Sequence, residues 1–71
     1  MPRLQKRSVS LTGHATSLAL EPEFWAALEA MAQADGGALS NVVGRIDKTR
    51  SGRPLASACR VAALAWASAK T

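Results

Sequence analysis

The sequence predicts a mainly α chain, two to three helices behind one short strand, with the strand completed by a second copy of the same chain. Three observations carry this. Of 71 residues 34 are apolar, but 15 of these are alanine and one is Cys59, which leaves 18 large enough to fill a core. A single core in a chain below about 70 to 80 residues rarely supplies more than ~3 to 5 kcal/mol. One cysteine and one histidine, Cys59 and His14, can neither close an intrachain disulfide nor complete a four-ligand zinc site, so self-association is the remaining supplement. Second, strand-like alternation is confined to residues 7–20; third, the rest of the chain carries helix punctuation at regular intervals.

Residues 1–6 read as a flexible basic arm and 7–71 as a single domain. In RSVSLTGHATSLAL, Val9 and Leu11 share one face and Thr12-Gly13-His14 interrupts. Thr16, Leu18 and Leu20 then share a face, with Ala15, Ser17 and Ala19 on the other. The strand is placed at about 15–20. A lone strand or single hairpin is marginal in water because its edges lack partners. Glu21-Pro22 ends it and opens a helix over about 22–35, since proline at a first helical position loses no needed N–H and the acids Glu21 and Glu23 meet the positive end of the dipole. Phe24, Leu28 and Met31, flanked by Trp25, form its apolar stripe, and Gly36-Gly37 is its terminator. Ser40 is the expected cap of a second helix over about 40–49, with Leu39 before it and Val42, Val43 and Ile46 inward. Residues 50–54 read as a loop. An alanine-rich helix follows over about 55–69, apolar on more than half its circumference.

Nine Lys and Arg against five Asp and Glu give +4 per chain. The charge is segregated: Arg3, Lys6 and Arg7 lie in the first seven residues without an acid, residues 21–35 hold four acids without a base, and the stretch from Arg45 to Arg60 is basic apart from Asp47. Such segregation suggests one face toward a polyanion, with nucleic acid the leading choice, and one toward solvent. No run of about 18 apolar residues exists and the N-terminus lacks the apolar stretch of a signal peptide, so a cytoplasmic protein with no membrane partner is expected.

The segment GHATSLALEPEFWAALEAMAQADGGALSNVVGRID closely resembles the ribbon-helix-helix proteins, especially a compact bacterial branch with a GHxTSxxLEPEFW core. The resemblance spans roughly residues 7–66, and the LEPEFW entry into the helix is its most specific part. It implies an intertwined homodimer whose strands pair antiparallel as a ribbon that enters the DNA major groove. It also implies that Leu18 and Leu20 face the dimer core, that Ala15, Ser17 and Ala19 face base edges, and that Ser40 and Asn41 form a phosphate clamp at a helix N-terminus. Lys6, Arg7 and Arg45 are then the phosphate contacts, with His14 a further candidate or a turn residue. The ribbon departs from the better-known repressors, because alanine can touch a thymine methyl but makes no bidentate hydrogen bond.

Trp25 and Trp66 read as core residues rather than base-stacking ones, and Cys59 as a small buried hydrophobe. Arg50 and Arg53 suit a phosphate backbone or a solvated loop equally. No phosphate loop, metal cluster or nucleophile elbow is present, so neither catalysis nor a cofactor is expected. Two functions remain: a homodimeric DNA-binding transcriptional regulator, or a ribbon-helix-helix protein-interaction or oligomerisation module, an antitoxin-like adaptor with weak or no specific DNA binding. The partners expected are a second copy, duplex DNA, and for the adaptor a partner protein.

Overall fold

The computed structural model describes residues 3–70, so Met1 and Pro2 of the expected arm and Thr71 of the expected domain lie outside the described residues. Two antiparallel strands, β1 (Gln5–Leu11) and β2 (His14–Leu20), precede three helices, α1 (Pro22–Ala34), α2 (Leu39–Thr49) and α3 (Leu55–Ala69). The expectation of one strand per chain is thereby corrected to two, and β1 takes up Gln5 and Lys6 from the segment expected to be an arm. Gly13 explains the difference. Its φ of 85° is open to glycine at little cost and suits the third position of a type II turn, so Thr12-Gly13 folds the chain back on itself instead of merely interrupting a strand.

The hairpin pairs Gln5 with Leu20 through Leu11 with His14, so one face carries Val9, Leu18 and Leu20, all buried, and the other faces away from the helices. Leu18 and Leu20, expected at a dimer core, thus lie in the core of the chain itself. Beneath them Trp25, Leu28, Val42, Val43, Ile46 and Cys59 are buried in one cluster. Trp25 fills the largest place, and its indole Nε1 donates to the Gln5 carbonyl at 2.8 Å. In α1 the buried positions are Trp25, Leu28 and Ala32. Phe24 and Met31, expected inward, are only partly buried against this cluster.

Helix α1 starts at Pro22 as the sequence implies and ends in a Schellman arrangement. Gly36, at φ 68°, donates to the Gln33 carbonyl and Gly37 to the Ala32 carbonyl, at 3.1 and 3.0 Å. Helix α2 differs from expectation at its start. Its N-cap is Ala38, without a side-chain hydrogen bond, and Ser40 lies inside the first turn. The amides of Leu39 and Ser40 therefore have no acceptor among the described residues. Helix α3 buries Ala58, Cys59 and Ala63, and it is tied to the β2–α1 junction by Arg60. That guanidinium donates from Nε to Glu21 Oε1 at 2.9 Å, holds Nη2 at ion-pair distance from the same oxygen, and lies over the Phe24 ring.

Candidate nucleic-acid interface

The pairing register decides what the hairpin shows to solvent. Lys6 lies opposite Ala19, Ser8 opposite Ser17, and Ser10 opposite Ala15. Because side chains alternate across a strand, these six share the face turned from the helices. Lys6, Ser8, Ser10, Ala15 and Ser17 are exposed, and Ala19 is half-buried. The surface thus offers one ammonium group, three hydroxyls and two methyls over about 13 Å along the strand. Ser8 and Ser10 are members of this face that sequence reasoning misses, because it assigns the ribbon to β2 alone. Their signal lies in the alternation of KRSVSL, where polar residues on one face oppose Val9 and Leu11 on the other. His14 is exposed at the first position of β2, paired with Leu11.

Beside this face a polar cleft of about 560 Å³ opens between the hairpin turn and α2. The turn side supplies Ser10, Leu11 and Thr12, and α2 supplies Ser40, Asn41, Gly44, Arg45 and Lys48. Asn41, Gly44, Arg45 and Lys48 stand at i, i+3, i+4 and i+7, one face of a helix. Two features here are not legible from residue types. Lys48 has no carboxylate partner among the described residues, and a Cβ built on Gly44 would meet nothing within 4 Å. Glycine inside a helix costs about 1 kcal/mol relative to alanine, and here no packing contact among the described residues requires it.

Ion pairing sorts the cations. Among the described residues, Arg7 pairs with Glu29, Arg45 with Asp35, Arg50 with Asp47 and Arg60 with Glu21. Arg7 also lies over the Trp25 ring, 4.7 Å from its centroid. Two residues expected to meet phosphate, Arg7 and Arg45, are thus already engaged within the chain. Arg3, Lys6, Lys48 and Arg53 have no carboxylate partner among the described residues, and Lys70 lies over the Trp66 ring. Glu21 is held below the usual carboxylate range by its own backbone amide first and by Arg60 second. Burial pushes the Cys59 thiol up to about 11, against a smaller opposite effect of Arg60.

A family model for the ribbon-helix-helix domain matches residues 4–67, nearly the whole chain. The chain belongs to the ribbon-helix-helix family. Ribbon-helix-helix domains are typically DNA-binding transcription regulators or antitoxins, they typically dimerise, and they are generally regulatory rather than enzymatic. No curated protein and no solved structure gives a significant match to the chain. The hairpin precedes the helices as a ribbon would, and α3 packs on both α1 and α2. Among the described residues no helix is long and apolar enough to cross a membrane, and no group of three His, Cys, Asp or Glu could hold a metal.

Proposed function

We propose that the protein is a homodimeric, cytoplasmic DNA-binding regulator that lays its ribbon in the major groove. The observation that carries this reading is the segregation of charge. Four of the five acids sit in ion pairs, while Lys6 and Lys48, free of carboxylates, mark the outer ribbon face and the adjoining cleft. Ser40, whose amide has no acceptor, and the open side of Gly44 line the same cleft, a combination suited to a phosphate oxygen.

The second copy joins at the outer edge of β2. Its seven residues, HATSLAL, hold no acid, lysine, arginine, proline or glycine, whereas β1 carries Lys6 and Arg7, the kind of residue that normally protects an edge. Antiparallel pairing about Ser17 gives a four-stranded sheet whose outer strands lie about 14 Å apart, wider than a major groove of about 12 Å, so only the central pair enters the groove. The central β2 pair, with Ala15, Ser17 and Ala19, then faces the groove floor, and Lys6 of each outer strand reaches the flanking phosphates. Short central side chains make shape and phosphate contact the larger part of binding, with thymine methyls and single hydrogen bonds as the sequence-dependent part.

Fluorescence anisotropy on labelled duplex DNA tests this. Affinity should fall steeply between low and moderate salt, and the double substitution Lys6→Ala with Lys48→Ala, which removes four lysines from the dimer, should flatten the log–log slope by about 3 to 4. Arg45→Ala, at a cation already neutralised by Asp35, should change it less. Absence of duplex binding at low salt would overturn the proposal.

A further inference from the structure

Away from the ribbon, the C-terminal half of α2 and the outer side of α3 enclose an apolar groove of about 210 Å³. Ile46 and Thr49 form one wall, Ala58, Ala62 and Ala65 the floor, and Val61 the rim. Val61 is 48% exposed and neighbouring Leu64 is 66% exposed. Across Ile46 and Thr49 a second cleft of about 370 Å³ continues toward Met31 and Trp66. A floor of small residues permits close approach of another helix, and exposed Val and Leu beside it form an apolar patch that a monomer would otherwise leave wet.

The groove ends in a positive rim. Arg50 donates to Asp47 and to the Arg53 carbonyl, and among the described residues the Arg53 guanidinium meets only the Ser57 hydroxyl, at 3.5 Å. Arg53 also sits just before the N-terminus of α3, where the helix dipole adds positive potential instead of offsetting it. The loop that holds both arginines includes Ser51 at φ 53°, a conformation that costs a non-glycine residue about 1 kcal/mol.

We propose that this groove docks an acidic amphipathic helix from a partner protein, its leucine-sized side chains over the alanine floor and a carboxylate on Arg53, the rim cation that no acid among the described residues meets. Charge selects this occupant over a second copy. Four of the chain's five acids are already paired, and the fifth, Glu23, lies in the first turn of α1 against the positive end of that helix. A second copy would bring its own arginines and no free carboxylate beyond Glu23. The groove lies toward the C-terminal end of α2, with Ile46 and Thr49 about 9 and 14 Å along the helix from Ser40. On α2 it is lined by Ile46, Thr49 and Arg50, whereas the cleft beside the ribbon is lined by Asn41, Gly44, Arg45 and Lys48, and the proposal does not depend on the DNA-binding reading.

The test uses the full-length protein and a fluorescein-labelled 14-residue helical peptide with leucines at i, i+3, i+4 and i+7 and glutamates on both flanks. Its twin carries lysines in place of the glutamates. The glutamate peptide should bind saturably, with resonance shifts at Val61, Ala62 and Ala65. Binding should be at least about tenfold weaker for the lysine twin, for Arg53→Glu, and for Ala65→Trp, which occludes the groove at an exposed position and should leave the helical circular dichroism unchanged. Equal binding of both peptides, no binding, or insensitivity to the two substitutions would overturn the proposal. So would sedimentation showing that Ala65→Trp dissociates an oligomer, since a second copy would then occupy the groove.

Discussion

Trp25 shows how much a single side chain organises here. It is 1% exposed, bonds the Gln5 carbonyl through Nε1, and receives Arg7 on its ring face, so it joins the first strand to α1 by packing, hydrogen bond and cation–π contact at once. Trp25→Phe should lower stability by about 2 kcal/mol, because the Gln5 carbonyl loses a donor and the core loses volume. Trp66→Phe, at a half-buried position, should lower it by less than about 1 kcal/mol. Midpoints of urea unfolding measure both. Cys59 gives a pH dependence. Its folded thiol titrates near 11, from an ordinary value of 9.0, so the unfolded chain binds fewer protons in that interval. The stabilisation is complete below pH 9 and is lost as pH rises toward 11, with a size of order 2 kcal/mol. Chemical denaturation between about pH 8 and 11 should show this fall, and Cys59→Ala should remove it.

At the scale of elements, the three helices are legible because their signals are local: proline and acids at the start of α1, paired glycines at its end, and apolar spacing in α2. The start of α2 departs from the sequence expectation because a serine's capping chemistry does not reveal its tertiary neighbours. Ser40 lies inside the helix and lines the cleft instead. Strand β1 escapes sequence reasoning because one of its faces is entirely polar, and Val9 and Leu11 alone make too weak a pattern to outweigh the basic residues before them. The glycines separate shape from function. Gly13→Ala should destabilise by about 1 kcal/mol, since φ 85° strains any other residue while a Cβ meets nothing. Gly44→Ala should do the opposite, raising stability by about 0.5 to 1 kcal/mol while weakening duplex binding. Thermal melts and anisotropy on the same preparation check the pair, and an unchanged affinity for Gly44→Ala would remove the cleft from the DNA interface.

For the whole molecule, the dimer proposal is tested by one cysteine. Strand pairing about Ser17 brings the two Ser17 residues opposite each other with Cα atoms about 5.5 Å apart, within disulfide range. Ser17→Cys should cross-link into a dimer under mild oxidant, whereas Ala15→Cys alone should not, but a mixture of Ala15→Cys and Ala19→Cys chains should. Native Cys59, buried and with a raised thiol pKa, should stay out of the reaction. Non-reducing electrophoresis distinguishes these outcomes, and cross-linking of Ala15→Cys in preference to Ser17→Cys would place the symmetry axis elsewhere.

Composition, periodicity and punctuation determined the helices and most of the core, because each depends on residues within a few positions of one another, while the family came from the resemblance carried by the GHATSLALEPEFW stretch. They did not determine that the strand's first partner lies in the same chain, because that follows from a turn at Gly13 and a register that only the folded hairpin expresses. Nor do they distinguish the free cations from the paired ones. Arg7 and Glu29 are 22 residues apart, and Arg60 and Glu21 are 39 apart; the fold brings them together and leaves Lys6 and Lys48 as the charges that remain on the ribbon side.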